Sequence, residues 1–364
     1  MILFITRNYP PSIGGKERHS YELIKGISSI EKTAKITWSK HLKGLWYFMI
    51  IAFIKASYLL LIRQRDIELV HLNDPVLSPI GLLLKFITKK PVIANVHGLD
   101  IIYPNWLYQK IIPGCLRKMD RVISNSNATA LQCIKRGIPS EKIEIIPVGV
   151  TINDLVKGKT ESYIEKLGNI LKLSLKGRKI IITIGRLVKR KGVAFFVSEV
   201  LPGLVKEFPD LCYLVIGEGQ ERTNIEKIIR EKKMEAYTFL VGYLDDETIS
   251  LIKDIASIFV MPNIPVEGDM EGFGMVALEA AVVGLPVVAS RLEGISEAIK
   301  DGENGILIEP GDAKGYKRAI RELLINQEKR RDLGDKGRNY TISNYSWEVI
   351  AKRYFEVFQE TVQS

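Results

Sequence analysis

Residues 257–281 read SIFVMPNIPVEGDMEGFGMVALEAA, and the rest of the chain is organised around them. An apolar run over 257–261 predicts a buried strand, and it leads into a loop rich in proline and glycine. The run of small apolar residues that follows predicts a helix over 273–283. A strand, a glycine-rich loop and a helix in this order are typical of parallel α/β sheets.

The turn into this helix brings glycines and carboxylates together. Gly272 and Gly274 allow a ligand to approach closely, because neither has a Cβ atom. The first helical turn has free N–H groups and a partial positive charge, which favour an anion. Glu271 precedes the turn and Glu279 lies about two turns beyond the glycines. The stretch therefore predicts a ligand with both phosphate and hydroxyl groups, such as a phosphorylated sugar.

Length and composition indicate a soluble protein of two domains. The chain has 364 residues, too many for one ordinary core, and it is 46% hydrophobic and 26% charged. Its three scattered cysteines lack the spacing of a disulfide or zinc framework, which fits a reducing compartment. The first residues show no signal-peptide pattern. We therefore expect a cytoplasmic protein.

Positive charge is concentrated in the first part of the chain. Residues 1–160 hold 23 Lys and Arg against 11 Asp and Glu, a balance of +12, whereas residues 161–364 hold 29 against 31. Such a patch attracts nucleic acid, anionic lipid or a phosphorylated substrate, or it serves general solubility. We expect no nucleic-acid partner, because the bases form no long run and no aromatic-basic motif.

Strand and helix patterns alternate through both halves of the chain. This alternation predicts two Rossmann-like, doubly wound parallel sheets, with ligands bound at the carboxyl ends of the strands in a shared cleft. Residues 159–178 lack a strand signal and are expected to hold the domain boundary. The predicted strands cover residues 1–6, 34–38, 69–72, 92–96, 121–124 and 143–146, then 179–184, 212–216, 238–241, 257–261, 286–289 and 305–308. The predicted helices of the second half cover 194–207, 222–231, 245–254, 273–283, 295–300 and 313–326.

Residues 45–62 are almost wholly apolar, with Lys55 as their only charge. The stretch approaches the length of a transmembrane helix, but Lys55 would then lie near the centre of the bilayer. Three alternatives remain open. The stretch is a transmembrane span, a buried helix of the first domain, or an interfacial helix whose aromatic residues near Trp46 enter the lipid surface.

Five motifs resemble those of the family 4 glycosyltransferases, which have the GT-B architecture. Each motif is weak by itself, but all five follow the family's order over nearly the whole chain. They are Tyr9-Pro10-Pro11 with Gly14-Gly15, Val96-His97-Gly98-Leu99-Asp100, Ile184-Gly185-Arg186-Leu187 with Lys191-Gly192, Val215-Ile216-Gly217-Glu218-Gly219, and the pair Glu271 and Glu279.

The resemblance implies a retaining transfer of a hexose from a UDP- or GDP-linked sugar to a hydroxyl of a glycan or lipid-linked acceptor. It places acceptor binding in residues 1–165 and nucleotide-sugar binding in residues 166–345. A final helix over 346–364 is expected to cross back toward the first domain. The basic first domain fits cell-surface polysaccharide or glycolipid synthesis, with the enzyme peripheral on the inner face of the cell membrane.

The resemblance assigns the donor diphosphate to Arg186 and Lys191. A guanidinium fork and an ammonium suit a diphosphate, and fixed cations stabilise the charge that develops on it as the sugar leaves. Lys189 and Arg190, which lie between them, are expected to be exposed to solvent.

By the same resemblance, the rest of the donor binds at the turn into the helix predicted over 273–283. Glu279 would accept hydrogen bonds from the ribose hydroxyls, and Glu271 would face the hydroxyls of the donor sugar. The peptide N–H groups of Gly272, Phe273 and Gly274 would meet phosphate or sugar.

The nucleotide base is expected against a separate pair of turns. These turns contain Gly217 and Glu218 on one side and Gly242, Tyr243 and Leu244 on the other. This assignment also comes from the resemblance.

The first domain supplies the remaining site residues in the same way. His97 follows a predicted buried strand and is expected to contact the donor sugar. Gly14 and Gly15 would let the first loop approach the phosphate and the acceptor, and Lys16 would add charge beside them. Asp100 would orient its loop or contact the acceptor.

The sequence departs from the family pattern after the last strand of the first domain. Many members have Asn-Gly-Val-Asp there, whereas this chain has Val148-Gly149-Val150-Thr151. Val148 replaces a polar residue and Thr151 an acid, so no role is carried onto either position.

Other enzyme and binding classes remain as alternatives. A GT-B nucleotide-sugar epimerase or hydrolase would share the donor pocket, and a non-enzymatic protein could bind anionic lipid through the basic half. A dinucleotide-dependent dehydrogenase would need GxGxxG after the first strand, which Gly14-Gly15 does not provide. No acidic triplet precedes the sugar site, so we expect no obligate metal. Asp245-Asp246 is interpreted as a helix cap.

Overall fold

The computed structural model describes residues 1–11, 14–38, 44–63, 66–152 and 161–364. It divides into two compact units. The first contains Met1–Gly149 together with Tyr345–Ser364, and the second contains Val150–Asn344. The division therefore falls earlier in the chain than residue 165, where the sequence places it.

The first unit contains a parallel sheet of six strands. Its strands are β1 Ile2–Thr6, β2 Thr33–Thr37, β3 Leu69–Leu72, β4 Val92–Val96, β5 Arg121–Ser124 and β6 Ile143–Ile145. The spatial order is β2-β1-β3-β4-β5-β6, so the order reverses beside β1, where β2 and β3 flank it. Strands β1, β3 and β4 are buried along their whole length, as expected for a sheet covered on both faces.

Among the described residues of this unit, five helices connect these strands. They are α1 Gly15–Ser28, α2 Leu45–Tyr58, α3 Ser78–Thr88, α4 Trp106–Leu116 and α5 Asn127–Lys135, with a π-helical extension of α2 at Leu59–Arg63 and 3₁₀ segments at Pro75–Leu77 and Ser140–Lys142. Right-handed crossovers put α2, α3 and α4 on one face of the sheet and α1 on the other. The core on the first of these faces includes Phe48, Leu84 and Leu116.

The second unit contains another parallel sheet of six strands. Its strands are β7 Lys179–Ile184, β8 Leu211–Ile216, β9 Thr238–Gly242, β10 Ile258–Met261, β11 Val287–Ser290 and β12 Ile306–Ile308. Their order is β12-β11-β10-β7-β8-β9, so the order reverses between β7 and β10. The predicted alternation of two doubly wound sheets is confirmed, and each predicted strand end lies within one residue of the observed end.

In the described part of the second unit, nine helices belong to or border its sheet. They are α6 Glu161–Leu171, α7 Val193–Phe195, α8 Leu201–Glu207, α9 Arg222–Glu231, α10 Asp246–Ile255, α11 Met275–Ala281, α12 Ile295–Ala298, α13 Ala313–Ile325 and α14 Gln327–Tyr345. Helix α6 occupies much of the segment expected to be a boundary, and α10 packs against it. Asp245 caps α10 by accepting from Thr248 N at 2.8 Å, as predicted.

Two predicted helices differ from the observed ones for local reasons. The helix predicted over 194–207 is interrupted by a π-helical turn at Phe196–Val200. Pro202 follows this turn, and it has no N–H to donate to the preceding turn. The helix predicted over 273–283 begins only at Met275, because Gly274 adopts a left-handed conformation with φ 78° that a helix cannot contain.

The final helix, α15 Trp347–Gln363, belongs to the first unit. Ser346 caps it, and the helix packs against α1. A Cβ atom on Gly26 of α1 would lie 2.8 Å from the Ala351 side chain, so the two helices meet at a position that requires glycine. Trp347 likewise covers Gly149, where a Cβ atom would lie 2.5 Å from the indole ring.

Candidate functional site

The loops after β7 and β10 meet where the strand order of the second sheet reverses. Ligands of doubly wound sheets bind at such points. Gly192 lies so close to Pro262 that a Cβ atom would stand 1.8 Å from the Pro262 carbonyl oxygen, and its φ of 66° also requires glycine. This backbone contact brings the basic segment after β7 against the acidic loop after β10.

Lys191 and Glu271 form the central ion pair of this site. The Lys191 Nζ lies 2.6 Å from Glu271 Oε2, and the Asn263 amide donates to the same oxygen at 3.1 Å. Burial alone would raise the pKa of Glu271, but the charge and hydrogen bond of Lys191, with the charge of Arg190, hold it below its ordinary value. Glu271 is therefore ionised at neutral pH.

Arg190 is buried, so the expectation that it is exposed is wrong. Its NH1 donates to both carboxylate oxygens of Asp269 at 3.0 Å, and its Nε lies 3.6 Å from Glu271 Oε2. Only 7% of the residue is exposed. Arg190 therefore holds the acidic loop in place. Lys189 is exposed, as expected.

Glu293 supports the same loop from the segment after β11. Its carboxylate accepts from the Glu271 backbone N–H at 2.6 Å. Burial, and to a smaller extent the nearby carboxylates of Glu271 and Asp269, raise the pKa of Glu293. Glu293 has φ 47°, which side chains rarely adopt, and Gly294 beside it lies against Gly272, where a Cβ atom would stand 2.2 Å from the carbonyl oxygen.

Arg186 differs from its two basic neighbours. It is exposed, and its side chain makes no hydrogen bond or ion pair with any residue that the structure describes. In contrast, Arg190 and Lys191 are matched by Asp269 and Glu271. Arg186 and the exposed Lys189 therefore carry the positive charge of this segment that no acid of the described residues matches.

Glu279 lies in α11, where its carboxylate oxygen is 3.2 Å from Lys253 Nζ. Its side chain is 24% exposed and that of Lys253 is 11% exposed. The predicted position in the helix is correct, and the acid is accessible from solvent although it faces a lysine. Phe273, at the preceding turn, is buried in the core.

Glycines end three neighbouring strands of the second sheet. Gly185 donates its N–H to Ile216 O at 2.9 Å, and Gly217 donates to Gly242 O at 2.8 Å. Gly217 has φ 132°, and a Cβ atom there would lie 2.1 Å from Gly185 O. Tyr243, next to these turns, is exposed. At these three strand ends the glycines leave the backbone uncovered by side chains, and the Tyr243 ring projects beside them.

In the first unit, the predicted residues of the first loop and the His97 loop meet at the carboxyl edge of its sheet. Lys16 Nζ lies 3.0 Å from Asp100 Oδ2, and the Asp100 carboxylate accepts from the His97 backbone N–H at 3.0 and 3.1 Å. Burial lowers the pKa of Lys16, but the charges of Asp100 and Asp74 outweigh it and the pKa is raised. Gly14 and Gly15 begin α1 beside this lysine.

The His97 ring is held by backbone from β3. Its Nε2 lies 3.1 Å from the carbonyl oxygen of Asn73. A carbonyl only accepts, so Nε2 carries the proton and Nδ1 remains an acceptor when the ring is neutral. Burial lowers the pKa of His97 below its usual value, with the charge of Lys16 acting in the same direction. The ring therefore offers hydrogen bonds and no charge.

A buried polar network lies beneath His97. The His19 ring packs edge-on against His97 with centroids 4.8 Å apart. Asn95 joins three partners, His19 Nε2 at 3.2 Å, His71 Nε2 at 3.1 Å and the Tyr354 hydroxyl of α15 at 3.0 Å. Burial lowers the pKa of His19, and it lowers that of His71 to about 3. Both imidazoles are therefore neutral.

A second ion pair borders the same edge of the sheet. Arg7, directly after β1, donates from Nε to Asp74 Oδ2 at 2.8 Å, and Asn8 donates to the same oxygen at 3.1 Å. Burial would raise the pKa of Asp74, but the charges of Lys16 and Arg7 lower it below its ordinary value. Two ion pairs, Arg7–Asp74 and Lys16–Asp100, therefore lie beside the neutral imidazoles.

Two protein-family models match the chain. The model of glycosyl transferases group 1 matches residues 171–340, and the model of glycosyltransferase family 4 matches residues 40–154. The chain belongs to the family 4 glycosyltransferases. Enzymes of this family use nucleotide-sugar substrates.

Relatives of this glycosyltransferase extend over most of its length. It is 24% identical to the GDP-mannose-dependent alpha-(1-6)-phosphatidylinositol monomannoside mannosyltransferase of Mycolicibacterium smegmatis, covering 98% of this chain and 97% of the relative. It is 26% identical to the phosphatidyl-myo-inositol mannosyltransferase of Mycobacterium leprae, covering 82% and 75%. The HepE protein of Anabaena, solved in complex with UDP and glucose, matches with a TM-score of 0.75 at 19% identity over 98% and 99% of the two chains. The glycosyltransferase thus has the GT-B fold.

Three interactions next to the predicted site residues were missed from the sequence. Buried Arg190 pairs with partly buried Asp269, Glu293 binds the backbone of Glu271, and Arg7 pairs with Asp74. The sequence signal for these residues is their position, because each lies in a segment that follows a predicted strand. Among the residues that the structure describes, no group of three or more His, Cys, Asp and Glu is arranged to hold a metal ion.

Proposed function

We propose that this glycosyltransferase moves a hexose, with retention of configuration, from a UDP- or GDP-linked sugar to a hydroxyl of a glycan or lipid-linked acceptor. The two mannosyltransferase relatives support this class of acceptor, since both names include a phosphatidylinositol acceptor. One of those names specifies GDP-mannose, and the HepE structure contains UDP. The proposed setting is cell-surface polysaccharide or glycolipid synthesis at the inner face of the cell membrane.

The observation that carries this proposal is the charge arrangement at the carboxyl edge of the second sheet. Lys191 is fixed by Glu271, Arg190 is fixed by Asp269, and Arg186 keeps an unmatched charge. A donor diphosphate would find one accessible guanidinium and one rigidly held ammonium. Negative charge increases on the leaving phosphate during transfer, so preorganised cations stabilise the transition state more than the ground state.

Glu271 and Glu279 would recognise the hydroxyl groups of the donor. The two carboxylates act in different surroundings, because Glu271 is buried against Lys191 whereas Glu279 is partly exposed beside Lys253. We assign Glu271 to the donor sugar and Glu279 to the ribose. The turn with Gly272 and Gly274 would approach phosphate or sugar, and Gly217, Gly242 and Tyr243 would border the base.

The reaction would proceed on one face of the sugar. The bond between the anomeric carbon and the phosphate oxygen breaks, the bond to the acceptor oxygen forms on the same side, and the leaving phosphate takes the acceptor proton. This route needs no carboxylate nucleophile of the kind that retaining glycosidases use. It also needs no obligate metal, since Arg186 and Lys191 would neutralise the diphosphate.

His97 would bind the donor sugar as a neutral ring. Its Nε2–H donates a hydrogen bond to the Asn73 carbonyl, so Nδ1 can accept a hydrogen bond from a sugar hydroxyl. Gly14 and Gly15 would approach phosphate and acceptor, while Lys16 and Asp100 would set the loop near the acceptor.

A nucleotide-sugar screen tests the proposal. Melting temperature is measured with UDP- and GDP-linked hexoses, and the donor with a clear shift is then used, radiolabelled, with glycan and lipid-linked acceptors. We expect one donor to raise the melting temperature and its hexose to appear on an acceptor with the configuration of the donor. Release of free hexose or of an epimer, without transfer to any acceptor, would instead support the hydrolase or epimerase alternative.

A further inference from the structure

Helix α2 and its extension bury one narrow stripe and expose a large part of their apolar surface. The buried residues Phe48, Ala52, Ala56 and Leu60 recur every four positions and pack into the core of the first unit. Residues beside the stripe, such as Met49 and Phe53, are partly buried against the same core. The exposed apolar residues of this segment are Trp46, Tyr47, Ile50, Ile54, Tyr58, Leu61 and Ile62.

Two neighbouring helices continue this exposed apolar face. Helix α3 packs between α2 and α4 on the same side of the sheet. Its exposed apolar residues are Leu83, Phe86 and Ile87, and those of α4 and the loop before it are Tyr103, Trp106, Leu107 and Ile111. The three largest projections, Trp46, Phe86 and Trp106, are 77%, 73% and 74% exposed. Soluble proteins rarely leave a contiguous apolar surface of this kind uncovered.

The charges on these helices all have one sign. Residues 45–63, 75–90 and 106–118 contain eight Lys and Arg and no Asp or Glu. Lys55, Lys89 and Lys110 are exposed, and Lys89 Nζ lies 4.8 Å from the centre of the exposed Phe86 ring. Aromatic rings interspersed with bases match the boundary of a membrane that carries anionic lipid. A protein partner would need to be both apolar and strongly acidic over the same area.

Helix α2 with its extension, Leu45–Arg63, is long and apolar enough to cross a membrane by length and composition. Its packing argues against a crossing, because Phe48, Ala52, Ala56 and Leu60 are at most 3% exposed within the core of the first unit. A crossing would expose that core. A helix held in this way can instead lie along the membrane surface with its outer side in contact with lipid.

We infer that the joined outer faces of α2, α3 and α4, here called the apolar face, form a docking surface for anionic lipid membranes. This inference rests on the proposed function for its purpose, since an enzyme with a lipid-linked acceptor must work at a membrane. Aromatic and aliphatic side chains enter the headgroup region, and the surrounding bases bind anionic headgroups.

Flotation with lipid vesicles tests the apolar face. The full chain is mixed with vesicles of phosphatidylcholine alone, or of phosphatidylcholine with phosphatidylglycerol, at low and high salt. We expect stronger binding to the anionic vesicles, weakened by salt. The triple variant Trp46→Ser, Phe86→Ser, Trp106→Ser should lose roughly 100-fold in partitioning. The triple variant Lys55→Glu, Lys89→Glu, Lys110→Glu should lose at least about fivefold per altered base on anionic vesicles.

A matched control removes apolar side chains elsewhere on the surface. The variant Ile30→Ser, Ile325→Ser, Val362→Ser alters three exposed residues outside the apolar face and should float like the original protein. All variants should keep their melting temperature. Equal flotation of the aromatic variant and this control overturns the inference. So does a concentration-dependent dimer that the aromatic variant abolishes without any vesicle binding, because a second copy would then cover the face.

The outcome is separable from that of the proposed function. Donor-induced melting shifts and transfer to a soluble acceptor should survive in the aromatic variant, because its changes lie on the outer side of α2–α4. Flotation without any transfer would overturn the enzymatic proposal alone. Transfer without flotation would overturn the docking surface alone.

Discussion

The carboxyl edges of the two sheets handle charge in different ways. At the edge of the second sheet, Arg190 and Lys191 are buried with matching acids, and Arg186 stays exposed with its charge unmatched. At the edge of the first sheet, His19 and His71 are buried and neutral. The first edge therefore combines neutral hydrogen-bonding groups with charges that are paired to each other, whereas the second leaves the Arg186 guanidinium unmatched.

The two edges suit different chemical groups. Fixed cations suit a diphosphate, whose charge increases during reaction. Neutral imidazoles and amides suit hydroxyl groups, which gain little from a nearby charge but depend on the direction of a hydrogen bond.

The largest effect is expected at Arg186. The change Arg186→Ala removes the unmatched guanidinium of the second edge, so turnover should fall roughly 10²–10³-fold. The free energy of unfolding should not change, because the side chain is exposed and lacks a partner among the described residues. Steady-state kinetics and urea denaturation measure the two quantities. Lys189→Ala, which alters the exposed base of the same segment, is the control and should keep normal turnover.

A double variant tests that assignment most directly. Arg186→Ala combined with Lys191→Ala removes both cations proposed for the diphosphate. Normal turnover in the purified double variant would contradict the assignment of Arg186 and Lys191 to the donor phosphates.

The next effect concerns the buried pair of the second edge. Lys191→Met leaves the Glu271 carboxylate without its nearest cation, so the pKa of Glu271 should rise and the free energy of unfolding should fall by about 3 kcal/mol. Adding Glu271→Gln removes the buried charge and should restore most of this loss, while turnover stays low. Urea denaturation of both variants measures the difference. If the single and double variants are equally stable, the pair does not control the stability of this edge.

A smaller effect is expected at Glu279. The change Glu279→Ala should raise the KM for the nucleotide sugar about tenfold, or ~1.4 kcal/mol, because hydrogen bonds to the ribose are lost. A donor analogue without ribose hydroxyls isolates this contact in a double-mutant cycle. The variant and the original enzyme should bind that analogue equally well. A full tenfold difference on the analogue would show that Glu279 acts elsewhere, for example by holding Lys253.

The smallest effect tests the neutrality of the first edge. His71 has a pKa of about 3 in the folded protein because burial disfavours its charged form, whereas an unfolded histidine has a pKa of about 6.5. The unfolded chain therefore binds more protons below pH 6.5, so the stability is present above that pH and is lost as the pH falls toward 3. The loss approaches ~1.4 kcal/mol per pH unit for one histidine.

Urea denaturation at pH 7.5 and 5.5 checks this sign. The change His71→Gln keeps a donor for Asn95 and removes the titrating ring, so the variant should lose less stability between the two pH values than the original protein. An identical pH dependence in both proteins would mean that His71 is already charged in the folded state.

Much of the fold could be predicted because each parallel strand has a local sequence pattern. Each strand is a short run of β-branched and apolar residues bounded by turn residues, as in β7 and β10. Helix α6 was missed because it lies within a charged, serine-bearing segment, 159–178, that resembles a linker. The start of α11 was missed because Gly274 permits a left-handed turn that the sequence pattern does not reveal.

The candidate site could be predicted only as far as its motif residues. Arg190 lies within a run of bases, and such a run normally indicates a solvated loop. Its burial depends on Asp269, which lies far along the chain and meets it only because β7 and β10 are neighbours. Similarly, the contact of Asn95 with Tyr354 joins residues 259 positions apart. Pairings of this kind depend on strand order and not on local sequence.

The position of α15 has a consequence for the synthesis of the chain. The first unit needs Trp347 over Gly149, Ala351 against Gly26 and the Tyr354 hydroxyl on Asn95. All three arrive only after the whole second unit has been translated. On the ribosome, the second unit is therefore complete before the first, although it is encoded later. Until then Asn95 lacks its hydrogen-bond partner Tyr354. A chain stopped before residue 345 would leave the first unit without its last helix, whereas the second unit would have all of its residues.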